Sequence, residues 1–263
     1  MRESWRAHPL AWIHRAEARA IARELGVPLA TLGTQGATAQ RPLLRLSDPQ
    51  LLRVATELTH AGLSYCGPRA EVMELCYDKL QATRLVAGEG VDCPKTALAN
   101  APGGLDFPLV VKPRRGSDSL GVRLVRKGPL AERYRNGDYL LQERVRGTEI
   151  TVAVLAGRIG RPLAIGLPPG TIYSFSRKYL LRPRHELVQE VQLAMRVREA
   201  AARIARLLAV NWAARVDFIA DSRGRLCFLE CDVAPLIGAR SAFTESLLAA
   251  GIHRDEQLRL LTA

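Results

Sequence analysis

The sequence predicts an α+β fold, with helices gathered in its first third and strands dominating the rest. Three observations carry that expectation. Apolar residues recur at helical spacing through the first 88 residues. From about residue 106 short apolar runs bounded by turn residues take over. Near the C-terminus Ala214–Ala220 and Leu226–Asp232 flank Asp221-Ser222-Arg223-Gly224-Arg225, the pattern of a hairpin.

Element by element, residues 1–26 read as a helix, with Ile13, Ala16, Ala20, Ile21 and Leu25 at helical spacing and Gly26 as its stop. A short strand is expected over Val27–Leu32 and a loop over 33–42. Asp48 is a candidate cap for a helix over 49–61, and Gly62–Pro68 reads as a turn region. Helices follow over 69–76 and 78–88, the second capped by Asp78. Strands are expected over Phe107–Pro113, Gly121–Arg126, Tyr139–Val145, Glu149–Leu155 and Arg158–Leu167. Residues 168–190 form a long polar loop, and loops of that length inside a compact domain usually serve function. The stretch 190–209 is an amphipathic helix with Val191, Ala194, Met195, Val197, Ala201, Ile204, Ala205 and Leu208 on its apolar face. After the hairpin a helix over 241–250 and a short terminal helix close the chain.

Composition narrows the functional classes. With 48% hydrophobic and 24% charged residues over 263 positions the chain has globular proportions, which excludes disorder, collagen and coiled coil as whole-chain descriptions. No apolar run reaches the roughly 18 residues that a membrane span needs. The first residues lack the apolar core of a signal peptide, so the cytoplasm is the expected compartment. Five cysteines, without a CxxC pair, point to reduced and mostly buried thiols. The net charge of +12 raises a nucleic-acid hypothesis, but the arginines are scattered and not interleaved with aromatics. Such a chain attracts anionic small molecules, nucleotides among them. Only five of the 38 basic residues are lysine, at 79, 95, 112, 127 and 178. In so arginine-biased a chain, a retained lysine marks a position suited to a compact point charge.

The hairpin is the most informative element. Strand side chains alternate faces, so Glu230 and Asp232 point the same way, as do Arg215 and Asp217. Three carboxylates and a guanidinium thus fall within an otherwise apolar segment. Oxygen donors without histidine or cysteine suit Mg2+ or Mn2+; a solvated edge hairpin with one Arg–Asp pair fits the same pattern. The loop 114–121 is rich in Gly, Ser and Arg, and its N–H groups and hydroxyls can close over phosphates, as an ordinary mobile hairpin loop also would.

Taken in order, these pieces resemble the ATP-grasp superfamily, and most closely its D-alanine–D-alanine ligase family. The matching segments are Tyr65-Cys66-Gly67-Pro68, Asp78-Lys79, Pro108–Pro113, the loop to Gly121, Leu141–Glu149, Lys178-Tyr179-Leu180, Arg215-Val216-Asp217 and Leu229–Pro235. They cover about residues 62–250, nearly three-quarters of the chain. The resemblance implies two α+β subdomains gripping ATP between antiparallel sheets. It divides the chain into a reduced N-terminal α/β domain over 1–66 and an ATP-grasp domain over 67–263. The latter comprises a first subdomain at about 67–148 and a second, with the metal site, at 149–263.

The resemblance also implies roles. Lys79 and Lys112 touch ATP phosphates, and Gln142, Glu143 and Val145 belong to the hinge strand at the adenine edge. Glu149 accepts from the ribose, and Ser117 and Ser119 belong to the phosphate-covering loop. Asp217, Glu230 and Asp232 form the metal triad for two Mg2+ ions, with Mn2+ as the substitute. Arg215 steadies an oxyanion, Lys178 and Tyr179 close over the reaction, and Ser241 and Leu236 adjoin the second substrate. The implied reaction is ATP-dependent joining of a carboxylate and an amine, both small molecules, through an acyl phosphate. No nucleic-acid or membrane partner is implied, and a homodimer is the assembly to consider. A phosphotransferase and a catalytically silent nucleotide-binding protein are the alternatives on the same fold. Three departures stand out. Glu3, Glu17 and Glu24 do not match the acid that holds the family's first amino acid. Asp232 replaces an asparagine. Bulky Leu236 replaces a glycine, which argues against D-alanine as second substrate.

Overall fold

The computed structural model describes residues 11–30, 41–47, 50–168, 170–172, 174 and 183–263. Four helices come first: α1 (Ala11–Leu25), α2 (Gln50–His60), α3 (Ala70–Tyr77) and α4 (Lys79–Gly88). Asp78 caps α4 as expected, its carboxylate accepting from the Leu80 and Gln81 N–H groups; Asp48 lies outside the described residues. In its described part the segment expected as a strand over 27–32 forms only an isolated parallel bridge, Leu29 to Leu43, and Leu43 bridges on to Cys66. The buried face of α1 is His14, Ala18, Ile21 and Ala22. Of the stripe that the spacing suggested, Ile21 and Leu25 reach the core, whereas Ala16 is exposed and Ile13 and Ala20 are only half-buried.

Two antiparallel sheets follow. Strands β1 (Thr96–Leu98), β2 (Leu109–Pro113), β3 (Arg123–Val125) and β4 (Tyr139–Glu143) form the first, in the order β1-β4-β2-β3. The second contains β5 (Gly147–Leu155), β6 (Arg158–Ile159), β7 (Leu163–Ile165), β8 (His185–Leu187), β9 (Ala213–Asp221) and β10 (Leu226–Asp232). Its order is β10-β9-β5-β7-β8, with β6 beside β5. Helix α5 (Val191–Leu207) joins β8 to β9, and α6 (Ala242–Ala249) and α7 (Arg254–Thr262) end the chain.

The strand expected over 158–167 is split into β6 and β7. Between them Pro162 has no N–H to give a ladder, and a Cβ on Gly160 would strike Ser246. Strands β1 and β8, three residues each, have too short an alternation to stand out in the sequence. β4 and β5 belong to different sheets, so Arg144–Arg146 is the link between them. Gly147 begins β5 where a Cβ would overlap the Ala220 carbonyl of β9, which explains the glycine at this crossing.

Alternation divides the two faces of the second sheet. Ile150, Val152 and Val154 of β5, with Ala214, Val216 and Phe218 of β9, pack against α2, α3, α4 and α5 in the main core. Ala153, Leu155 and Ala213 face the other way, into a second core with α1, α6 and α7. In α5 the core residues are Val197, Ala201, Ile204 and Ala205. Val191 and Met195, placed on that face by periodicity, are 67% and 51% exposed; at this end of α5 Leu193 and Ala194 pack on the core instead.

Candidate active site

The second face of the six-stranded sheet turns polar at one end, and there the site forms. Along β5 the residues sharing the face of Ala153 are Thr151 and Glu149; along β9 they are Arg215, Asp217 and Ile219. β10 adds a bulge between Phe228 and Glu230. One extra residue there lets Leu229 and Glu230 both border the same space while Phe228 and Cys231 stay in the core.

That space is a cleft of about 580 Å³ walled by both sheets. Of the expected nucleotide residues, Lys112, Gln142, Glu143, Val145 and Glu149 line it, together with Ser119, Asp217 and Glu230. Lys112, next to last in β2, is 6% exposed. Burial pushes its ammonium down to about 8; Glu230 and Glu149 pull it upward, and Lys79 adds to the depression. Gln142 donates from Nε2 to Thr96 Oγ1 at 2.8 Å, which fixes its amide at the cleft wall. Glu143 Oε1 is buried at 3.7 Å from Arg225 Nη1, too far for a hydrogen bond, and has no hydrogen-bond partner among the described residues.

The loop between β2 and β3 is fastened at its near arm by the start of α4. Arg114 Nε lies 3.0 Å from both oxygens of Asp78, and its Nη2 lies 2.6 Å from Oδ2. The Lys79 N–H donates to the Arg114 carbonyl at 3.0 Å, and Lys79 Nζ donates to the Gly116 carbonyl. Burial alone would raise the Asp78 carboxyl. The hydrogen bonds from Arg114 and the Gln81 N–H, with the charges of Arg114 and Arg115, hold it below the usual carboxylate range. Lys79 and Ser117 sit on this assembly beside the cleft rather than among its lining residues.

The carboxylates of the hairpin are close in register but do not form a cage. Glu230 pairs with Asp217 across the ladder and Asp232 with Arg215. Arg215 grips Asp217 in bidentate fashion, Nε to Oδ1 at 3.0 Å and Nη2 to Oδ2 at 2.9 Å. Thr151 donates to Asp217 Oδ1 at 2.6 Å. Asp232 Oδ1 accepts from the Ala234 N–H at 3.0 Å, and its Oδ2 is 3.7 Å from Arg215. Among the described residues no three His, Cys, Asp or Glu side chains gather as metal ligands.

Ser241 caps α6, its hydroxyl oxygen accepting from the Thr244 N–H at 3.2 Å, and Leu236 is half-buried; neither lines the cleft. Lys178 and Tyr179 lie outside the described residues. Sequence reasoning missed the N-terminal contribution. Glu17 accepts from the Ile237 and Gly238 N–H groups at 2.8 and 2.7 Å and pairs with Arg45 at 2.5 Å. Arg45 in turn donates to the Ala234 carbonyl at 3.0 Å. His14 meets Asp118 of the β2–β3 loop at 3.0 Å. One signal was available: His14 lies in register with Ala18 and Ile21, a polar residue inside an apolar stripe.

All five cysteines are free thiols, four of them buried. No described helix is long and apolar enough to cross a membrane.

Comparison with known proteins agrees with this arrangement. The profile of the family described as D-ala D-ala ligase C-terminus matches residues 84–261. D-alanine–D-alanine ligase B of Pseudomonas putida is 27% identical over 223 residues, covering 77% of this chain and 68% of that protein. Among solved structures, VanG D-Ala:D-Ser ligase from Enterococcus faecalis superposes with a TM-score of 0.70 at 23% identity, covering 82% of this chain and 68% of the other. The D-alanine–D-alanine ligase from Bacillus anthracis complexed with ATP gives 0.72 at 20% identity, covering 94% and 91%. The profile spans the second half of the first sheet's approach, the whole cleft and the carboxylate hairpin, and with most of its length inside that match the chain belongs to the D-ala D-ala ligase C-terminus family, an ATP-dependent ligase by lineage and an ATP-grasp protein by fold.

Proposed function

We propose that the chain activates a carboxylate with ATP and joins it to an amine, both of them amino acids, through an acyl phosphate. The observation that carries this reading is the cleft between the sheets. It has a buried lysine beside the carboxylates of Glu230 and Glu149, a serine from the β2–β3 loop and a hinge strand along its wall. Lys112 and Lys79 supply positive charge for the phosphates, with the loop N–H groups of 114–121 beside them. Gln142, Glu143 and Val145 border the base, and Glu149 the ribose.

Magnesium fits the donor set on the terms this ion usually accepts. It takes one or two protein carboxylates and completes its shell with phosphate oxygens and water, so a three-carboxylate cage is not required. Glu230 borders the cleft, Asp217 stands opposite it in register, and Asp232 follows two residues on. These three residues would hold the ion, which when bound neutralises and orients the phosphates.

The substrate carboxylate attacks the γ-phosphorus, the bond to the β–γ bridging oxygen breaks, and ADP leaves. The amine then attacks the acyl carbon, inorganic phosphate departs and the nitrogen loses a proton. Arg215, held in place by Asp217, faces the negative charge that develops on the acyl oxygen. The relatives are named for D-alanine and D-serine, so D-amino acids lead the candidate acids; Leu236 disfavours D-alanine as the amine. The test is a screen of ADP release over pairs of D- and L-amino acids with mass detection of product. The expected result is ADP release that requires both partners and a product lighter than their sum by one water. A phosphorylated single substrate would instead identify a phosphotransferase.

A further inference from the structure

We infer that His14 is a positioning residue for the reaction proposed above: its contact with Asp118 sets the tip of the β2–β3 loop over the cleft. The role in turnover rests on that proposal, while the contact stands on its own geometry. Asp118 and Ser119 have φ of 59° and 56°, left-handed backbone that residues with a Cβ seldom adopt, and two in succession need outside support. His14 provides it. Its Nε2 is 3.0 Å from Asp118 Oδ2, and both side chains are nearly out of solvent. A carboxylate only accepts, so Nε2 carries the hydrogen. Ser119, the next residue, lines the cleft, whereas Asp118 does not.

The base from which His14 acts is itself rigid. One turn further along α1, Glu17 is held by Arg45 and by the N–H groups of Ile237 and Gly238, and Glu24 pairs with Arg254 at 2.8 Å. The near arm of the loop has separate fastenings, Asp78 on Arg114 and Lys79 on the Gly116 carbonyl. The tip therefore has its own anchor, from a helix outside the segment that the family profile matches. With the anchor removed the strained turn relaxes, Ser119 leaves the cleft wall, and water reaches the acyl phosphate.

The experiment compares wild type with H14A and with H14Q, whose amide nitrogen restores a donor near the place of Nε2. Amide hydrogen exchange across 116–121 is read first, since it needs no turnover and stands even if the proposed reaction is wrong. The expected result is exchange about tenfold faster in H14A, the factor that one lost charge-assisted hydrogen bond gives, with H14Q near wild type. For turnover, H14A should raise the KM for ATP more than it lowers kcat and release more ADP per ligated product, and H14Q should reverse both changes. Exchange in a folded H14A indistinguishable from wild type would overturn the inference. So would H14Q behaving as H14A does, or loss of the fold in both variants, which would make the contact a strut of the core. A wild-type protein with no ligase turnover but with the expected exchange pattern would overturn the reaction and leave the loop anchor standing.

Discussion

Lys112 shows how one side chain ties the sequence to the chemistry. Strand β2 ends at Pro113, and the residue before it is buried between two carboxylates and a second lysine. Its ammonium titrates at about 8, below its value of about 10.4 in an unfolded chain. The unfolded chain therefore binds the proton more tightly in the window between those values. The burden of burying the charge is present in full below about pH 8 and is relieved as pH rises from there, so this group makes the folded state gain stability with pH. Nucleotide phosphates favour the charged form, so binding just above pH 8 should take up a proton and weaken as pH rises further. Calorimetry in two buffers of different ionisation enthalpy reads that uptake, and it should vanish in Lys112→Ala. The same variant should raise the nucleotide Kd about tenfold or more, since one charge-assisted contact contributes about 1.5–3 kcal/mol. An unchanged Kd would remove Lys112 from the phosphate site. Alternation did place Arg215 with Asp217 and Glu230 with Asp232. It gave no means of seeing that Arg215 holds Asp217 by both oxygens, because that depends on rotamers and on Thr151 from another strand.

At the scale of elements the informative contrast lies between long and short segments. The β9–β10 hairpin, α4 with its Asp78 cap and the core of α5 were legible because seven or more residues kept one period. β1 and β8 were not, being three residues each at positions where the partner strand decides pairing. Met195 was misplaced because the apolar face was drawn too wide: two residues before Val197, it lies about 200° of helical turn away from the buried stripe. Asp78 joins element and site, since it caps α4 and holds Arg114. Asp78→Asn keeps the cap and loses the charge, whereas Asp78→Ala loses both. Thermal or denaturant melting should show the alanine variant less stable than the asparagine variant by about 0.5–2 kcal/mol, and both should raise the KM for ATP. The folded carboxyl is held low, so its contribution is complete above about pH 4 and is lost as pH falls through the folded value. Asp78→Asn should accordingly flatten the acid limb of the stability profile. At the crossing of β5 and β9, Gly147→Ala should destabilise by about 1–3 kcal/mol, because the added methyl group overlaps the Ala220 carbonyl. A melting curve matching wild type would contradict that packing.

For the whole molecule, two sheets joined by Arg144–Arg146 enclose one cleft, and three clusters of apolar side chains hold them from outside. The strand-rich part of this arrangement could be read from ordered motifs, since the segments Pro108–Pro113, Leu141–Glu149, Arg215–Asp217 and Leu229–Pro235 each contribute residues that line the cleft. The first 66 residues could not, for their contribution is made of pairs far apart in sequence, His14 with Asp118 and Glu17 with Gly238. Asp217→Asn and Glu230→Gln test the carboxylate end. Each should abolish Mg·ATP turnover while leaving the fold largely intact by circular dichroism, and wild-type-like turnover in either would dismiss the assignment. The central claim is that the substrate carboxylate becomes phosphorylated. Its most direct test supplies the acid with oxygen-18 in its carboxylate and follows the label by mass spectrometry after ligation. One labelled oxygen should appear in the released inorganic phosphate, carried there by cleavage of the acyl phosphate. Ligation that leaves the phosphate unlabelled would contradict the account.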